Sequence, residues 1–359
     1  MRLLRGGRRT GPEALKQDVT GQLVNTSSPE FAGAAFPYIA ANTLDRDGEL
    51  LLPPYEIVER AGVRVGFIGV TTRSTPTFLL DRHAARFRFT DISEAVNRWV
   101  PELRRHGVEA IVVLAHAGGP TQDESDAPDY AGEIIEEARE MSSDVDVVVA
   151  GHSHSRIHVR LPNSDGSGDK LIVEALSYGV AYDEVDMLVD RRTGEVVSKS
   201  AEIPGTDHTG VEPDAGMAAL VDRYRQRVGP LADHLVGITR APLTHGGGEL
   251  GQLVANAEQA FAHTDVAVVK PVSLRADIDA GPVTYAEVAE VLAFDHPVVR
   301  IRMSGRELRE LIGDDEAYVA GPEELDPRAE YSVAASELIV GAGHVVGTEP
   351  QALAWFLAR

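Results

Sequence analysis

Two stretches decide the fold: Ala110-Ile-Val-Val-Leu-Ala-His-Ala-Gly-Gly119 and Val145-Asp-Val-Val-Val-Ala-Gly-His-Ser-His154. Each opens on a short run of mostly β-branched residues with little polar alternation, as a strand buried on both faces requires. Each run then breaks at glycine beside histidine, where a chain leaves a sheet and turns. Working outward, Arg64-Val-Gly-Phe-Ile-Gly-Val70 is a third such strand, ending in the loop Thr71-Thr-Arg-Ser-Thr75, and Phe36–Asn42 reads as a short apolar strand. Between the strands, Ile92–His106 and Tyr130–Met141 carry apolar residues at helical spacing. Strand–helix–strand alternation predicts an α/β layer with right-handed crossovers.

Upstream, a short helix is expected near Pro12–Gln17. Downstream, Lys170–Ala175 and Glu184–Val189 read as strands, with a tight turn at Arg192-Thr-Gly-Glu195. Residues 203–211 are rich in Gly, Pro, Asp and Thr, a linker composition, and Asp214–Val228 reads as a helix bridging two domains. A second domain from Leu231 should alternate helix (Gly251–His263), strand (Val266–Lys270), helix (Tyr285–Leu292), strand (Val298–Met303) and helix (Gly305–Ile312). The expected organisation is thus a first domain over residues 1–202, a linker and bridging helix over 203–230, and a second domain over 231–359.

The chain has 359 residues, 43% of them hydrophobic, enough for two domains with a core each. No window approaches the roughly 18 consecutive apolar residues of a membrane span. The basic start Met1-Arg-Leu-Leu-Arg has no apolar run behind it, so no signal peptide is read there. Cysteine is absent, so a metal would have to be held by His, Asp, Glu or Asn. A net charge of −22 opposes a nucleic-acid polymer as partner. It leaves room for a small anionic substrate if a metal ion supplies local positive charge.

The chemistry is expected just past the C-terminal ends of the buried strands, where open α/β sheets bind ligands. His116 follows one strand; His152 and His154 follow another. Neutral imidazole is a good ligand for Zn, Mn or Fe, and the small Gly151 and Ser153 allow the backbone to turn tightly around an ion. His83, His106, His158, His208, His234, His245 and His263 lack that context and read as surface residues.

These segments resemble the last two metal motifs of the calcineurin-like metallophosphoesterases, and more narrowly the 5′-nucleotidase and UDP-sugar hydrolase family. Further matches run in order through Phe36–Asn42, Pro54-Tyr-Glu-Ile57, Val63–Thr72, Ala276-Asp-Ile-Asp-Ala-Gly281, Val283-Thr-Tyr285 and Met303-Ser-Gly-Arg-Glu-Leu308. The resemblance implies part of an αββα metallophosphoesterase sandwich followed by a smaller α/β substrate-binding domain. It implies two divalent metal ions, with His116 and His152 on one and His154 on the other. It further implies hydrolysis of a nucleoside 5′-monophosphate by a metal-bridging hydroxide, and export to the periplasm or cell surface.

The family's other ligands, in Asp-x-His, Gly-Asp and Gly-Asn-His-Glu, are expected to be missing, so that the sheet lacks its first, central strands. Leu3-Leu-Arg-Gly-Gly7 resembles the helix that follows Gly-Asn-His-Glu. Because that motif carries the family's catalytic histidine, no catalytic residue is assigned, and a separate chain supplying the first strands is an expected partner. In the second domain Arg275 and Phe294 match the residues that hold the nucleotide. Leu338 stands where the family has its second stacking aromatic, which leaves a half clamp. The alternatives are an inactive nucleotide-binding module, or a phosphoesterase for cyclic nucleotides or nucleotide sugars.

Overall fold

The computed structural model describes residues 36–123, 130–313 and 317–359, together with the backbone of two short strands, β1 (Leu15–Gln17) and β2 (Leu23–Asn25). These pair antiparallel, so Leu15–Gln17 is not helical as the sequence suggested. The signal for that pairing lay in two short runs separated by the polar, glycine-containing Asp18-Val-Thr-Gly21. The helix expected at Leu3–Gly7 lies outside the described residues. The chain divides into two compact units, with the boundary between Val211 and Glu212.

The first unit is built on a seven-stranded sheet. Its strands are β4 (Tyr55–Arg60), β5 (Val63–Thr71), β7 (Ala110–His116), β8 (Gln122–Asp123), β9 (Val147–Val149), β10 (Arg156–Pro162) and β11 (Asp169–Ala175). Their order is β4-β5-β7-β9-β11-β10-β8. Strands β5, β7, β9 and β11 are mutually parallel. Strands β4 and β10 join antiparallel as hairpin partners of β5 and β11, and the edge strand β8 pairs parallel with β10. A separate antiparallel pair joins the two-residue strands β3 (Thr43–Leu44) and β6 (Arg88–Phe89). The seven strands are hydrogen-bonded to one another without interruption.

One face is covered by the helices Ile92–Arg105 and Glu133–Glu140. The first starts on Asp91, whose side chain accepts from the Glu94 N–H and satisfies an end donor. It buries Ile92, Ala95, Val96, Val100 and Leu103, one helical stripe, against Ile68, Val70, Ile111 and Val113 of the sheet. The opposite face, through Val65, Phe67, Val112, Leu171 and Val173, meets Val185, Met187 and Ala201. Those belong to the hairpin of β12 (Glu184–Val189) and β13 (Val196–Glu202).

Phe36–Asn42 is not a strand. It is an extended segment whose Ala41 N–H donates to Gly69 O at 2.6 Å. Buried Asn42 donates from Nδ2 to Thr71 O (2.6 Å) and Thr90 O (3.0 Å) and accepts from Thr71 N (3.0 Å). A polar side chain thus takes the place of a ladder at the end of β5.

The second unit holds a five-stranded sheet in the order β18 (Tyr318–Ala320), β15 (Val266–Val269), β19 (Glu330–Ser336), β17 (Pro297–Ser304), β20 (His344–Thr348). A separate pair joins β14 (Leu235–Thr239) to β16 (Gly281–Thr284). The helices Glu249–Ala262 and Glu349–Leu357 pack together over a core of Leu250, Val254, Val288, Val291, Val298 and Leu353. Thr284 and Ser304 each open a helix with a complete capping box, closed by Glu287 and Glu307.

Candidate functional site

His116 is the last residue of β7, and His152 and His154 follow β9, so all three stand at the C-terminal side of the parallel strands. The rings of His116 and His152 come together with centroids 4.9 Å apart, and Phe78 sets its edge on His152 at 5.1 Å. The His154 ring is in edge contact with the Tyr178 ring at 5.6 Å, and its charge acts on His116. Burial, followed by the neighbouring His152, holds the His116 imidazole below its ordinary pKa. It is therefore neutral near pH 7, the form that ligates metal.

The turn that delivers His152 and His154 is strained. Both residues are left-handed, with φ of 79° and 58°, a conformation that side chains with a Cβ avoid. Such backbone persists only where its surroundings over-determine it. Here the restraint is Glu174, a carboxyl 1% exposed in the middle of the apolar strand β11. Ser153 Oγ donates to it (2.9 and 2.7 Å to the two oxygens), and the Ser155 N–H donates to Oε1 at 3.2 Å. Ser153 Oγ also accepts from the Gly119 N–H at 3.0 Å, and Gly151 N–H donates to Ala117 O at 3.2 Å. One serine hydroxyl therefore ties both histidine segments to one buried acid. Burial pushes the Glu174 carboxyl up, against the pull of its hydrogen bonds. The interruption of Leu171-Ile-Val-Glu-Ala175 by a charged residue was the available sequence signal for this strut.

Among the described residues no group of three or more His, Asp or Glu side chains has metal-ligating geometry. Two converging imidazoles fit part of one ion's coordination sphere, while a catalytic zinc takes three protein ligands. The described residues therefore do not make up a complete metal centre. Asp81-Arg-His83 does spell Asp-x-His, contrary to the expected absence of that tripeptide. It stands on the one-turn helix Asp81–Ala84 rather than at a strand end. Gly-Asn-His-Glu occurs nowhere in the sequence.

In the second unit Arg275 and Phe294 are brought together. The Arg275 guanidinium lies 5.5 Å from the centroid of the Phe294 ring, which is 51% exposed and so not a core residue. A second side chain against that ring, missed from sequence, is His296, parallel within 10° at 5.3 Å. Asp295 between them is left-handed (φ 51°), which lets two residues spaced i, i+2 stack.

Comparison with known proteins accords with this architecture. Residues 228–322 match the model of the 5′-nucleotidase C-terminal domain. A protein named Endonuclease YhcR from Bacillus subtilis is 32% identical over 82% of this chain and 24% of its own length. The cell wall protein Lmo0130 of Listeria monocytogenes is 25% identical over 76% of the chain and 38% of its length. A 5′-nucleotidase of Vibrio cholerae is 22% identical over 77% of the chain and 56% of its length. The chain thus spans between about a quarter and just over half of these curated relatives.

Among solved structures, the 5′-nucleotidase precursor of Thermus thermophilus superposes with a TM-score of 0.74 at 22% identity. It covers 90% of this chain and 76% of that one. The sulfate thiohydrolase SoxB of the same species reaches 0.69 at 17% identity, over 91% of this chain and 66% of that one. No helix among the described residues is long and apolar enough to cross a membrane. The chain thus has a mixed α/β fold with two sheet regions like that of the solved 5′-nucleotidase structures, and its residues 228–322 match the 5′-nucleotidase C-terminal domain.

Proposed function

We propose that the chain acts in the metal-dependent hydrolysis of nucleotide phosphate esters, releasing phosphate from a nucleoside 5′-monophosphate. The observation that carries this reading is the convergence of His116 and His152 at the ends of two parallel strands, on a strained turn held by a buried acid. A divalent ion, when bound, supplies electrophilic charge for phosphoryl chemistry. This chain's part is to present the imidazoles of His116 and His152 to one ion and that of His154 to another, with Arg275 and Phe294 holding the nucleotide. The remaining ligands come on this reading from this chain's own residues beyond the described ones. Export to the cell surface belongs to the same reading, supported by the likeness to a cell wall protein of Listeria monocytogenes.

A second reading, cleavage of a phosphodiester in a polynucleotide, is favoured by the 32% identity to the protein named Endonuclease YhcR. The net charge of −22 counts against it, because a polyanion is repelled over most of the surface.

The test is phosphate release from 5′-AMP by the purified chain with added Mn²⁺, beside His152→Ala. Release in the parent and a loss of roughly 100-fold in the variant are expected, the scale of removing a group that stabilises charge only in the transition state. No release from the folded parent chain would overturn hydrolysis in favour of a nucleotide-binding module. Faster cleavage of a single-stranded oligonucleotide than of 5′-AMP would favour the second reading.

A further inference from the structure

The second unit buries a group of polar atoms that the proposed function does not use. Glu258, on the helix Glu249–Ala262, is fully buried, and neither carboxyl oxygen has a hydrogen-bond partner among the described residues. Glu349 Oε2 and His296 Nδ1 are in the same condition. Native proteins leave few such atoms unpaired, because each forfeits its hydration without compensation. The three residues are neighbours by construction of the sheet. Strands β17 and β20 pair Pro297 with Thr348, so His296 and Glu349 leave the sheet side by side. The Glu349 N–H donates to His296 O at 3.0 Å, and Nδ1 lies 3.8 Å from Glu349 Oε2. Glu258 feels the charge of Glu349 across the packed helices. On its other side the His296 ring lies flat against exposed Phe294, with Arg275 over that same phenyl ring.

We propose that His296 is the positioning residue of a stacking platform for a nucleobase, carrying Phe294 on its ring and seated from behind on the buried carboxyl of Glu349. The inference rests on the reading of Arg275 and Phe294 as the residues that hold the nucleotide, and extends it to the parts that fix the platform. An exposed phenyl ring held by one backbone attachment would swing between rotamers. Stacked on an imidazole that is itself fixed, it offers a planar ligand a surface whose orientation is settled before binding. Burial holds the His296 imidazole low and pushes Glu349 up to about 8, so near neutral pH the contact behind the platform joins two uncharged groups. The charged or titratable groups around them are Asp295 beside the ring, Arg275 over Phe294, Tyr285 near Asp295, and Glu258 behind Glu349. With His296 stacked on one side of Phe294, the base would gain one aromatic surface rather than a two-sided clamp.

The experiment uses adenosine as probe and the whole chain. Its dissociation constant is measured for the parent, Phe294→Ala, His296→Ala and His296→Phe, while the His296 imidazole resonance is followed in ¹⁵N-histidine-labelled protein. Expected are a loss of at least about 10-fold for Phe294→Ala, in the range of one base–aromatic stack, and about fivefold for His296→Ala. His296→Phe, which keeps a ring under Phe294, should restore most of the affinity. The imidazole resonance should move on adding adenosine, which a merely structural role would not produce. If Phe294→Ala weakens binding while His296→Ala does not and the resonance stays put, the positioning role is overturned and the nucleotide reading survives. If Phe294→Ala leaves affinity unchanged, the nucleotide reading fails and the inference goes with it.

Discussion

Replacing Glu349 by glutamine is expected to stabilise the second unit by about 4–5 kcal/mol at pH 8 and to change nothing below about pH 4.5. The carboxyl is 2% exposed, its Oε2 has no hydrogen-bond partner among the described residues, and burial raises its pKa from 4.5 to about 8. In the unfolded chain the acid ionises near 4.5; in the folded chain it keeps its proton until about pH 8. Below 4.5 both states are protonated and nothing separates them. From there to pH 8 the unfolded state alone gains by ionising, so stability falls as pH rises through that window. At about 1.4 kcal/mol per pKa unit the displacement gives the figure above. Glutamine has no proton to release, so the variant's curve lacks this fall and keeps only those of the remaining buried groups such as Glu258. Denaturant unfolding of both proteins at pH 4, 6 and 8 measures the gap. A difference that does not grow with pH would refute the argument.

Gly118→Ala is expected to cost about 3 kcal/mol in the first unit and to abolish Mn²⁺-dependent phosphate release. A Cβ at this position would sit 2.2 Å from Ser153 Oγ, 2.5 Å from Gly151 O and 2.6 Å from Glu174 Oε2. Overpacking in a fixed interior costs about 1–3 kcal/mol. Here the obstructing atoms include a backbone carbonyl and both partners of the hydrogen bond that holds the histidine turn. The methyl group cannot be housed without moving Ser153, and Ser153 lies between His152 and His154. Unfolding midpoints and phosphate release from 5′-AMP test the two halves of the expectation. A variant that melts and reacts like the parent would show that the turn has slack the packing does not suggest.

How far the sequence leads depends on how local the determining physics is. The parallel strands Val63–Thr71, Ala110–His116 and Val147–Val149 were legible because burial on both faces selects unbroken β-branched runs. The helix Ile92–Arg105 was legible from its apolar stripe. The segment Phe36–Asn42 misled because it is apolar and extended without a ladder; its backbone is satisfied by Gly69 and by the Asn42 side chain, partners far away in sequence. Strands Leu235–Thr239 and His344–Thr348 were missed because each is short, half-exposed and defined by its partner rather than its own composition. The site divides the same way. His116, His152 and His154 announce themselves by standing at strand ends. Glu174 shows only as a break in an apolar strand, and Glu349 and Glu258 not at all, because a buried acid is recognised by what surrounds it. His296 escaped notice because its stack on Phe294 depends on one left-handed residue, Asp295.

The two units have separate hydrophobic cores, one around Ile68, Val113 and Ile172, the other around Val254, Val298 and Leu353. Cores that share no side chains need not melt together, so heat should unfold this chain in two calorimetric transitions rather than one. A single melting temperature would then average two quantities that respond to different chemistry. Raising the pH from 4.5 towards 8 should lower the transition of the unit that buries Glu258 and Glu349, while Gly118→Ala should lower only the other. Divalent metal and adenosine should raise opposite members of the pair, each ligand reporting in the heat-capacity trace which half of the chain it has found.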